Sequence, residues 1–283
     1  MRIVSLLPST TEILFAIGAG DDVVGVTFEC DYPEQARARR IVSTSAMPEG
    51  LSAAEIDAFV VAAMARGDDL YHLDEGALAG LDADLVVTQD LCAVCAVDVS
   101  VVDDALTHLG CTAEVLTIDP STLDAVFESI LTLGRATGHE PEAERLVADQ
   151  RARLDAVRRE TAGAPRPRVM FLEWTDPPFA PGHWIPEMIE AAGGEPLLAT
   201  SGEKSRRVTW DDVHAAAPEL FVVAPCGFDR DGSQRLADEL SASGALPRGV
   251  PVHAVDANAS WARPGTRLVD GIEELAALIR SSA

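Results

Sequence analysis

The length and charge of the chain exclude several classes of function. Its 283 residues suffice for two domains of ordinary size, and a hydrophobic content of 47% is enough to form their cores. The formal net charge of −24 would repel the phosphates of nucleic acids and of anionic membranes, so neither is an expected partner.

The first part of the chain alternates short apolar runs with amphipathic stretches. Runs rich in Val, Ile and Leu predict strands of a parallel sheet at residues 2–7, 22–27, 84–88 and 114–118. Helical periodicity predicts helices at 9–18, 52–64, 76–81 and 101–110, where Gly18 and Gly110 stand in place to end their helices. This order predicts an N-terminal α/β lobe over residues 1–118.

The middle and the second part of the chain complete the predicted architecture. Residues 121–160 have the periodicity of one long helix, with a break expected near Gly138 and Pro141, and a linker follows at 162–168. Strands are then predicted at 169–174, 220–224 and 252–255, and helices at 185–192, 210–216, 233–241 and 267–281. We therefore expect an α/β protein with two Rossmann-like lobes, the second at 165–283, joined by the long helix and linker of 119–164. Its ligand is expected in a cleft between the lobes, since ligands of open α/β sheets bind beyond the carboxyl ends of the strands.

The residues that follow the predicted strands are rich in groups that bind ligands. Aromatic side chains in several of these loops are typical of the flat apolar walls of a binding pocket. Ser9 is expected to cap the first helix or to offer backbone N–H groups to an anionic part of a ligand. The predicted ligand-binding residues are Pro8, Ser9, Glu29, Cys30, Asp31, Tyr32, Gln89, Cys92, Glu173, Trp174, Phe179, His183, Trp184, Phe228, Trp261 and Arg263.

The cysteines leave a metal site open as an alternative. Cys92 and Cys95 have the spacing of a thiolate pair that grips a zinc or iron ion, and Cys30 and Cys226 would complete four sulfur ligands if the strands converge, with His183 as a substitute. The same pair could be a redox couple or two inert thiols. Glu173, His183 and Cys30 are residue types that act in acid–base or nucleophilic catalysis, but no catalytic motif accompanies them. We expect a binding protein rather than an enzyme, and a cytosolic metalloprotein or enzyme with a Cys-rich cleft is the alternative.

The cysteine count and the first residues bear on the cellular compartment. Five cysteines cannot all pair, which favours reduced thiols and a cytoplasmic protein. The first 20 residues resemble a signal peptide, yet they also read fully as a strand, a turn and a helix of the fold. A periplasmic or extracellular location is the alternative if a leader precedes Met1. No apolar run reaches the length of about 18 residues that a membrane helix needs, so membrane insertion is not expected.

Several motifs together resemble a known family. They are SLLPSTTEILFAIGAGDDVVGVT (5–27), CDYP (30–33) and LDADLVVT (81–88), then FLEWTDPPFAPGHW (171–184), AAGGEPLL (191–198), VTWDDVHAAAPELFVV (208–223) and SWARPGTRLVDGIEELA (260–276). In this order they resemble the helical-backbone (class III) substrate-binding proteins of ABC importers, above all the cobalamin-binding and iron-siderophore-binding members. The likeness extends over nearly the whole chain.

The resemblance implies a large planar small-molecule ligand that is held between aromatic side chains, either a cobalamin-type corrinoid or another metal chelate. Carried over by position, the ligand-binding segments are 29–32, the loop from Gln89, Trp174 with Phe179, and the loop of Trp261. The family also implies an ABC permease that docks to one acidic residue on each lobe. The N-terminal docking position falls near Gly76, beside Glu75, and the C-terminal one near Asp211, so the N-lobe acid is not matched. The chain departs further from cobalamin binders at Glu29, where they have an aromatic residue, and in the thiol-bearing loop 89–95.

Overall fold

The chain forms two compact units in a computed structural model that describes residues 1–66, 68, 70–73, 76–89 and 113–282. Unit 1 comprises Met1–Asp119 and Phe127–Val147, and unit 2 comprises Pro120–Val126 and Ala148–Ala283. Within the described residues, no helix is both long and apolar enough to span a membrane.

Unit 1 is built on a parallel sheet. Its strands are β1 (Ile3–Ser5), β2 (Val23–Val26), β3 (Arg40–Ile41), β4 (Ser43–Ser45), β5 (Tyr71–Leu73), β6 (Leu85–Thr88) and β7 (Glu114–Thr117). In the described residues, five of them form the parallel sheet in the order β3-β2-β1-β6-β7, and β4 pairs with β5 as an antiparallel hairpin. Strands were predicted at β1, β2, β6 and β7, and the structure confirms them; the short strands β3, β4 and β5 were missed.

The first helices of unit 1 follow from local sequence. Helix α1 (Pro8–Ala16) begins at Pro8, whose ring fixes a helical φ and whose missing N–H is not needed in a first turn. Gly18, with a φ of 89°, ends this helix as predicted. Helix α2 (Ala53–Arg66) also agrees with the expectation. The predicted helix at 101–110 lies outside the described residues.

The predicted helix at 76–81 is wrong. The chain makes a turn there, in which Gly76 and Gly80 adopt positive φ values of 73° and 72°. Such left-handed residues are incompatible with a helix interior. The apolar residues that suggested a helix, Leu78 and Leu81, are nevertheless buried, and they pack with Val4, Leu6 and Val86 in the core of unit 1.

The segment of the chain between β7 and β8 (Arg168–Leu172) contains two helices rather than one. Helix α3 spans Leu123–Thr137 and helix α4 spans Glu140–Thr161. Between them Gly138 has a φ of 75°, which breaks the helix at the position that the sequence indicates. The assignment of 119–164 as a separate connecting segment stays a prediction.

Unit 2 contains two sheets. Its strands are β8 (Arg168–Leu172), β9 (Trp174–Thr175), β10 (Pro178–Ala180), β11 (Glu195–Pro196), β12 (Arg206–Arg207), β13 (Leu220–Val223) and β14 (Val252–Ala254). As far as the chain is described, β11-β8-β13-β14 is a parallel sheet and β12-β10-β9 is a small antiparallel sheet. The sequence predicts β8, β13 and β14 correctly. It gives no sign of the small sheet, because strands of two or three residues are too short to show an alternating pattern.

The helices that follow β8 agree with the prediction, with one exception. They are α5 (Ile185–Ala191), α6 (Trp210–Ala215), α7 (Arg230–Ser243), α8 (Ala257–Ser260) and α9 (Leu268–Ser282), of which α8 was not predicted. Thr209 and Asp212 form a reciprocal capping box at the start of α6. The core between these helices and the parallel sheet includes Met170, Leu172, Phe221 and Val223, all without exposed surface. Burial of each such side chain contributes about 1.5–3 kcal/mol.

Candidate functional site

The end of β1 in unit 1 carries a buried cluster of hydroxyl and thiol groups. The Thr11 hydroxyl donates to Ser5 Oγ at 2.8 Å, and Ser5 Oγ lies 2.7 Å from Thr10 Oγ1. Cys30, which is 3% exposed, places its Sγ 3.1 Å from Thr11 Oγ1. These contacts join the loop after β2 to the first turn of α1. Cys30 is thus part of a packed polar cluster within unit 1 and has almost no surface to offer a ligand.

Pro8 and Ser9 lie in the first turn of α1 and are buried. The prediction that Ser9 caps this helix is wrong: Leu7 occupies the N-cap position and no side chain caps the helix. Pro8 explains the difference, because its fixed φ starts the helix one residue earlier than the hydroxyl residues suggest. The other expectation for Ser9, a backbone N–H group for an anionic ligand, stays a prediction.

Aromatic and acidic side chains meet in the loop after β2. The Tyr71 hydroxyl donates to Glu29 Oε2 at 3.1 Å, and the Tyr71 ring stacks on Phe28 with 5.7 Å between ring centres. Phe28 and Tyr32 are exposed, while Glu29 and Asp31 are half-buried. Sequence reasoning found Glu29, Asp31 and Tyr32 but missed Tyr71. Tyr71 is one of only two tyrosines in the chain, and its position far from any predicted strand end concealed it.

The remaining candidate residues of unit 1 follow β6. Gln89 is buried directly after the last residue of that strand. Cys92 and Cys95 lie outside the described residues, so their roles as ligand, metal or redox groups stay predictions.

Unit 2 presents a row of side chains across its small antiparallel sheet. Trp174 of β9 lies directly opposite Phe179 of β10, and Phe179 lies directly opposite Arg207 of β12. Residues paired in this way have their side chains on the same face of a sheet. The Arg207 guanidinium lies 5.7 Å from the centre of the Phe179 ring, and Phe228 packs on Trp174 with 5.9 Å between ring centres. We call these four residues, Arg207, Phe179, Trp174 and Phe228, the aromatic row.

Glu173 fixes the loops around the aromatic row. Its carboxylate Oε1 accepts a hydrogen bond from the Gly182 N–H at 3.0 Å, and its carbonyl accepts one from the Cys226 N–H at 3.2 Å. Its own N–H donates to the Phe179 carbonyl at 3.1 Å. Glu173 therefore ties together the chain after β8, β10 and β13. These bonds account for a structural role of the carboxylate and give no support to a catalytic one.

His183 is held in an unusual backbone conformation. Its φ of 51° is left-handed, and its N–H and C=O bond to the Glu203 carbonyl at 2.6 Å and to the Gly202 N–H at 3.0 Å. The adjacent Gly182 has no room for a Cβ atom, which would clash with the backbone of Ser205. Burial, and to a lesser degree the charge of Lys204, lower the pKa of His183 below its ordinary value. Burial therefore favours the neutral form of His183, and its backbone makes tight contacts with the segment before β12.

Trp184 and Trp261 are core residues. Trp261 is 0% exposed, packs on Phe171 with 4.8 Å between ring centres, and accepts a hydrogen bond at its carbonyl from Trp184 Nε1 at 2.8 Å. Trp184 is 6% exposed. Both indole rings are used in packing, and the prediction that they line a ligand pocket stays a prediction. Arg263, two residues after Trp261, is half-buried.

The described cysteines do not form a metal site. Cys30 is buried in unit 1, and Cys226 is exposed in unit 2. Across residues 1–89 and 113–282, as far as they are described, no group of three or more His, Cys, Asp and Glu side chains could hold a metal ion. The hypothesis of a metal site with four thiolates thus depends on Cys92 and Cys95, which lie outside the described residues. Cys30 and Cys226 give it no support.

Of the two expected docking positions for a permease, only the one at Asp211 has its acidic residue among the described residues. Gly76 lies in the turn before β6, and Glu75 is outside the described residues. Asp211 is exposed in the first turn of α6. An acidic residue is therefore available at the surface of unit 2 at the position that the resemblance indicates.

Comparisons with known proteins agree with this architecture. A family model described as periplasmic binding protein matches residues 3–246. The vitamin B12-binding protein of Yersinia pestis (strain Pestoides F) is 26% identical over 266 residues, which cover 92% of this chain and 79% of that protein. A periplasmic heme-binding protein of Roseiflexus sp. RS-1 has a TM-score of 0.70 at 22% identity, with 99% and 98% of the two chains covered. A protein of the ABC-type Fe3+-hydroxamate transport system of Saccharomonospora viridis has a TM-score of 0.68 at 23% identity, with 98% and 92% covered.

The comparisons correct the expected location. The cytoplasmic assignment is wrong, since the matching family is one of periplasmic binding proteins and the similar heme-binding protein is named as periplasmic. The expectation depended on the odd number of cysteines. That number is a weak indicator here, because Cys30 is buried, and a buried thiol is largely protected from oxidation.

Proposed function

Because this chain belongs to the periplasmic binding protein family, we propose that it is a non-catalytic binding protein for a cobalamin-type corrinoid or another metal chelate. The relatives reported above are named as binding or transport proteins for vitamin B12, heme and ferric hydroxamate, and none is named as an enzyme. All three ligands are metal chelates. The alternative of a cytosolic metalloprotein or enzyme is not supported.

The observation that carries the proposal is the aromatic row of unit 2. Trp174 and Phe179 are half-buried and lie side by side on one face of the small sheet. Neighbouring strands are about 4.8 Å apart, so a row across three strands offers a face about 10 Å wide. Such a face matches the width of a planar macrocycle, which gains free energy by stacking on aromatic rings.

Unit 1 supplies a second group of candidate residues. Phe28, Tyr71 and Tyr32 are aromatic, and Glu29 and Asp31 add carboxylates that can accept hydrogen bonds from amide groups of a ligand. That residues of both units contact one ligand stays a prediction. The proposed contacts are Glu29, Asp31, Tyr32 and Gln89 in unit 1, and Trp174, Phe179 and Phe228 in unit 2.

The proposed setting is the periplasm or the outer face of the cell membrane, with delivery of the ligand to an ABC permease. Family membership supports the setting, and the exposed Asp211 supports a docking contact on unit 2.

A ligand titration tests the proposed function. Purified protein should bind at least one of cyanocobalamin, haemin and a ferric hydroxamate with micromolar or better affinity, observed as a change in the ligand spectrum and as quenching of tryptophan fluorescence. A transported ligand should leave the protein chemically unchanged, and mass spectrometry of the released ligand checks this. Absence of binding to all three chelates would overturn the proposal.

A further inference from the structure

Among the basic residues near the small sheet, Arg207 lies on the same face as the aromatic rings. Its cross-strand partner is Phe179, and residues paired in this way have their side chains on one face. Arg206 precedes it on β12 and is paired with Ala180. Successive residues of a strand point to opposite faces, so Arg206 lies on the other side of the sheet.

Arg206 also lies near the start of α6. Asp212 accepts hydrogen bonds from the hydroxyl and N–H of Thr209, which lower the pKa of that carboxyl, and Arg206 adds a smaller effect in the same direction. The charge of Arg206 thus acts on the capping box of α6. The Arg207 guanidinium lies over the Phe179 ring, at the end of the aromatic row.

The basic segment is unusual in so acidic a chain. Residues 204–207 contain Lys204, the only lysine of the sequence, together with Arg206 and Arg207, whereas the whole chain has a net charge of −24. An anionic ligand is repelled by a protein of this charge unless a local basic group attracts it. A guanidinium placed beside the aromatic rings therefore indicates a ligand with a negative charge.

We infer that the ligand carries a carboxylate at the rim of its planar system and that Arg207 binds this carboxylate while Phe179 and Trp174 stack on the ring system. The inference rests on the proposed function and narrows its ligand class to acidic chelates. A guanidinium presents a planar fork of N–H donors that matches a carboxylate, and it is weakly hydrated enough to stay against an aromatic ring. The aromatic row thus combines a flat surface with one anion-binding end.

Two pairs of ligands test the inference. In each pair, one member has a carboxylate and the other does not. The pairs are haemin against its neutral side-chain diamide, and a monocarboxylate derivative of cyanocobalamin against cyanocobalamin itself. Wild-type protein should bind the acid of at least one pair about 10-fold more tightly than the amide. Arg207→Gln should remove this preference by weakening binding of the acid about 10-fold, with less than a two-fold change for the amide.

Matched variants separate the role of Arg207 from a general effect of charge. Arg206→Gln makes the same change of charge on the opposite face of β12 and should keep the preference. Arg207→Lys keeps the charge without the fork and should recover part of the preference. Thermal unfolding of each variant checks that the fold is intact.

The outcomes distinguish this inference from the proposed function. Equal affinity for acid and amide in the wild-type protein, or an equal loss of preference in Arg206→Gln and Arg207→Gln, would overturn the inference and leave chelate binding standing. Failure of the wild-type protein to bind any probe would overturn both.

Discussion

The two units position their candidate residues by different means. In unit 1, the loop after β2 is held by buried hydroxyl and thiol groups, with Thr11 in contact with both Ser5 and Cys30. In unit 2, the loops after β8 and β13 are held by an extra antiparallel sheet and by the backbone bonds of Glu173. The first arrangement is polar and closed to solvent. The second exposes aromatic and basic side chains in an ordered row.

This difference separates residues that maintain the fold from residues that can bind a ligand. A buried polar cluster contributes stability, because each hydrogen bond lost there leaves a partner without compensation. An ordered but accessible row contributes to binding, because its rings are held in place before the ligand arrives. Substitutions in unit 1's cluster should therefore change stability, and those in the aromatic row should change affinity.

The largest effect is expected at Trp261, which the sequence placed in the binding site and the structure places in the core. Trp261→Ala should lower the free energy of unfolding by about 3–5 kcal/mol, because it leaves a large cavity against Phe171. Trp261→Phe keeps most of the volume and should cost less than about 1.5 kcal/mol. Chemical denaturation measures both. If Trp261→Ala kept its stability and lost only ligand affinity, the assignment to the core would be wrong.

Trp174→Ala should have the largest effect on binding. Loss of a central aromatic contact should weaken chelate binding by about 2 kcal/mol, roughly 30-fold, with little change in thermal stability, because Trp174 is only half-buried. Trp210→Ala is the matched control, since Trp210 packs against the core of unit 2. Fluorescence titration of both variants makes the comparison, and an equal loss of affinity in the two would contradict it.

Thr11→Val should act on stability and not on affinity. The substitution keeps the shape of the side chain and removes the hydroxyl that contacts Ser5 and Cys30, so we expect a loss of about 1–2 kcal/mol in the free energy of unfolding. Thr117→Val, at an exposed position of β7 in the same unit, should change stability by less than about 0.5 kcal/mol. Urea denaturation distinguishes them. A strong loss of ligand affinity without loss of stability would place Thr11 in the binding site.

The smallest effect is a pH dependence from His183. Its pKa is lowered in the folded protein, chiefly by burial, so the unfolded chain takes up the proton first as the pH falls below about 6.5. The stability contribution is therefore complete above that pH and is lost as the pH falls through the lower folded pKa. His183→Asn, whose side chain tolerates the positive φ of 51°, should make the free energy of unfolding less dependent on pH between 7 and 5. An unchanged slope would show that His183 protonates equally in both states.

Local patterns of the sequence were sufficient to predict the main strands and helices. Buried strands such as Leu220–Val223 are continuous apolar runs, and helices such as Leu268–Ser282 have one apolar face, so both patterns are visible without a structure. The break at Gly138 was also evident, because glycine is the residue that most readily adopts a positive φ. The turn at 76–80 was mistaken for part of a helix because Leu78 and Leu81 are buried at helical spacing.

The sequence by itself determined the α/β class, the order of the main strands and helices, and the loops that carry candidate residues, since these depend on neighbours within a few positions. Only the tertiary structure decided that Trp261 belongs to the core, that Tyr71 contacts Glu29, and that Arg207, Phe179 and Trp174 share one face. Those facts depend on the pairing of very short strands and on contacts between residues distant in the chain, as with Tyr71 and Glu29. The free energy of such contacts comes from burial and register, which a local pattern does not contain.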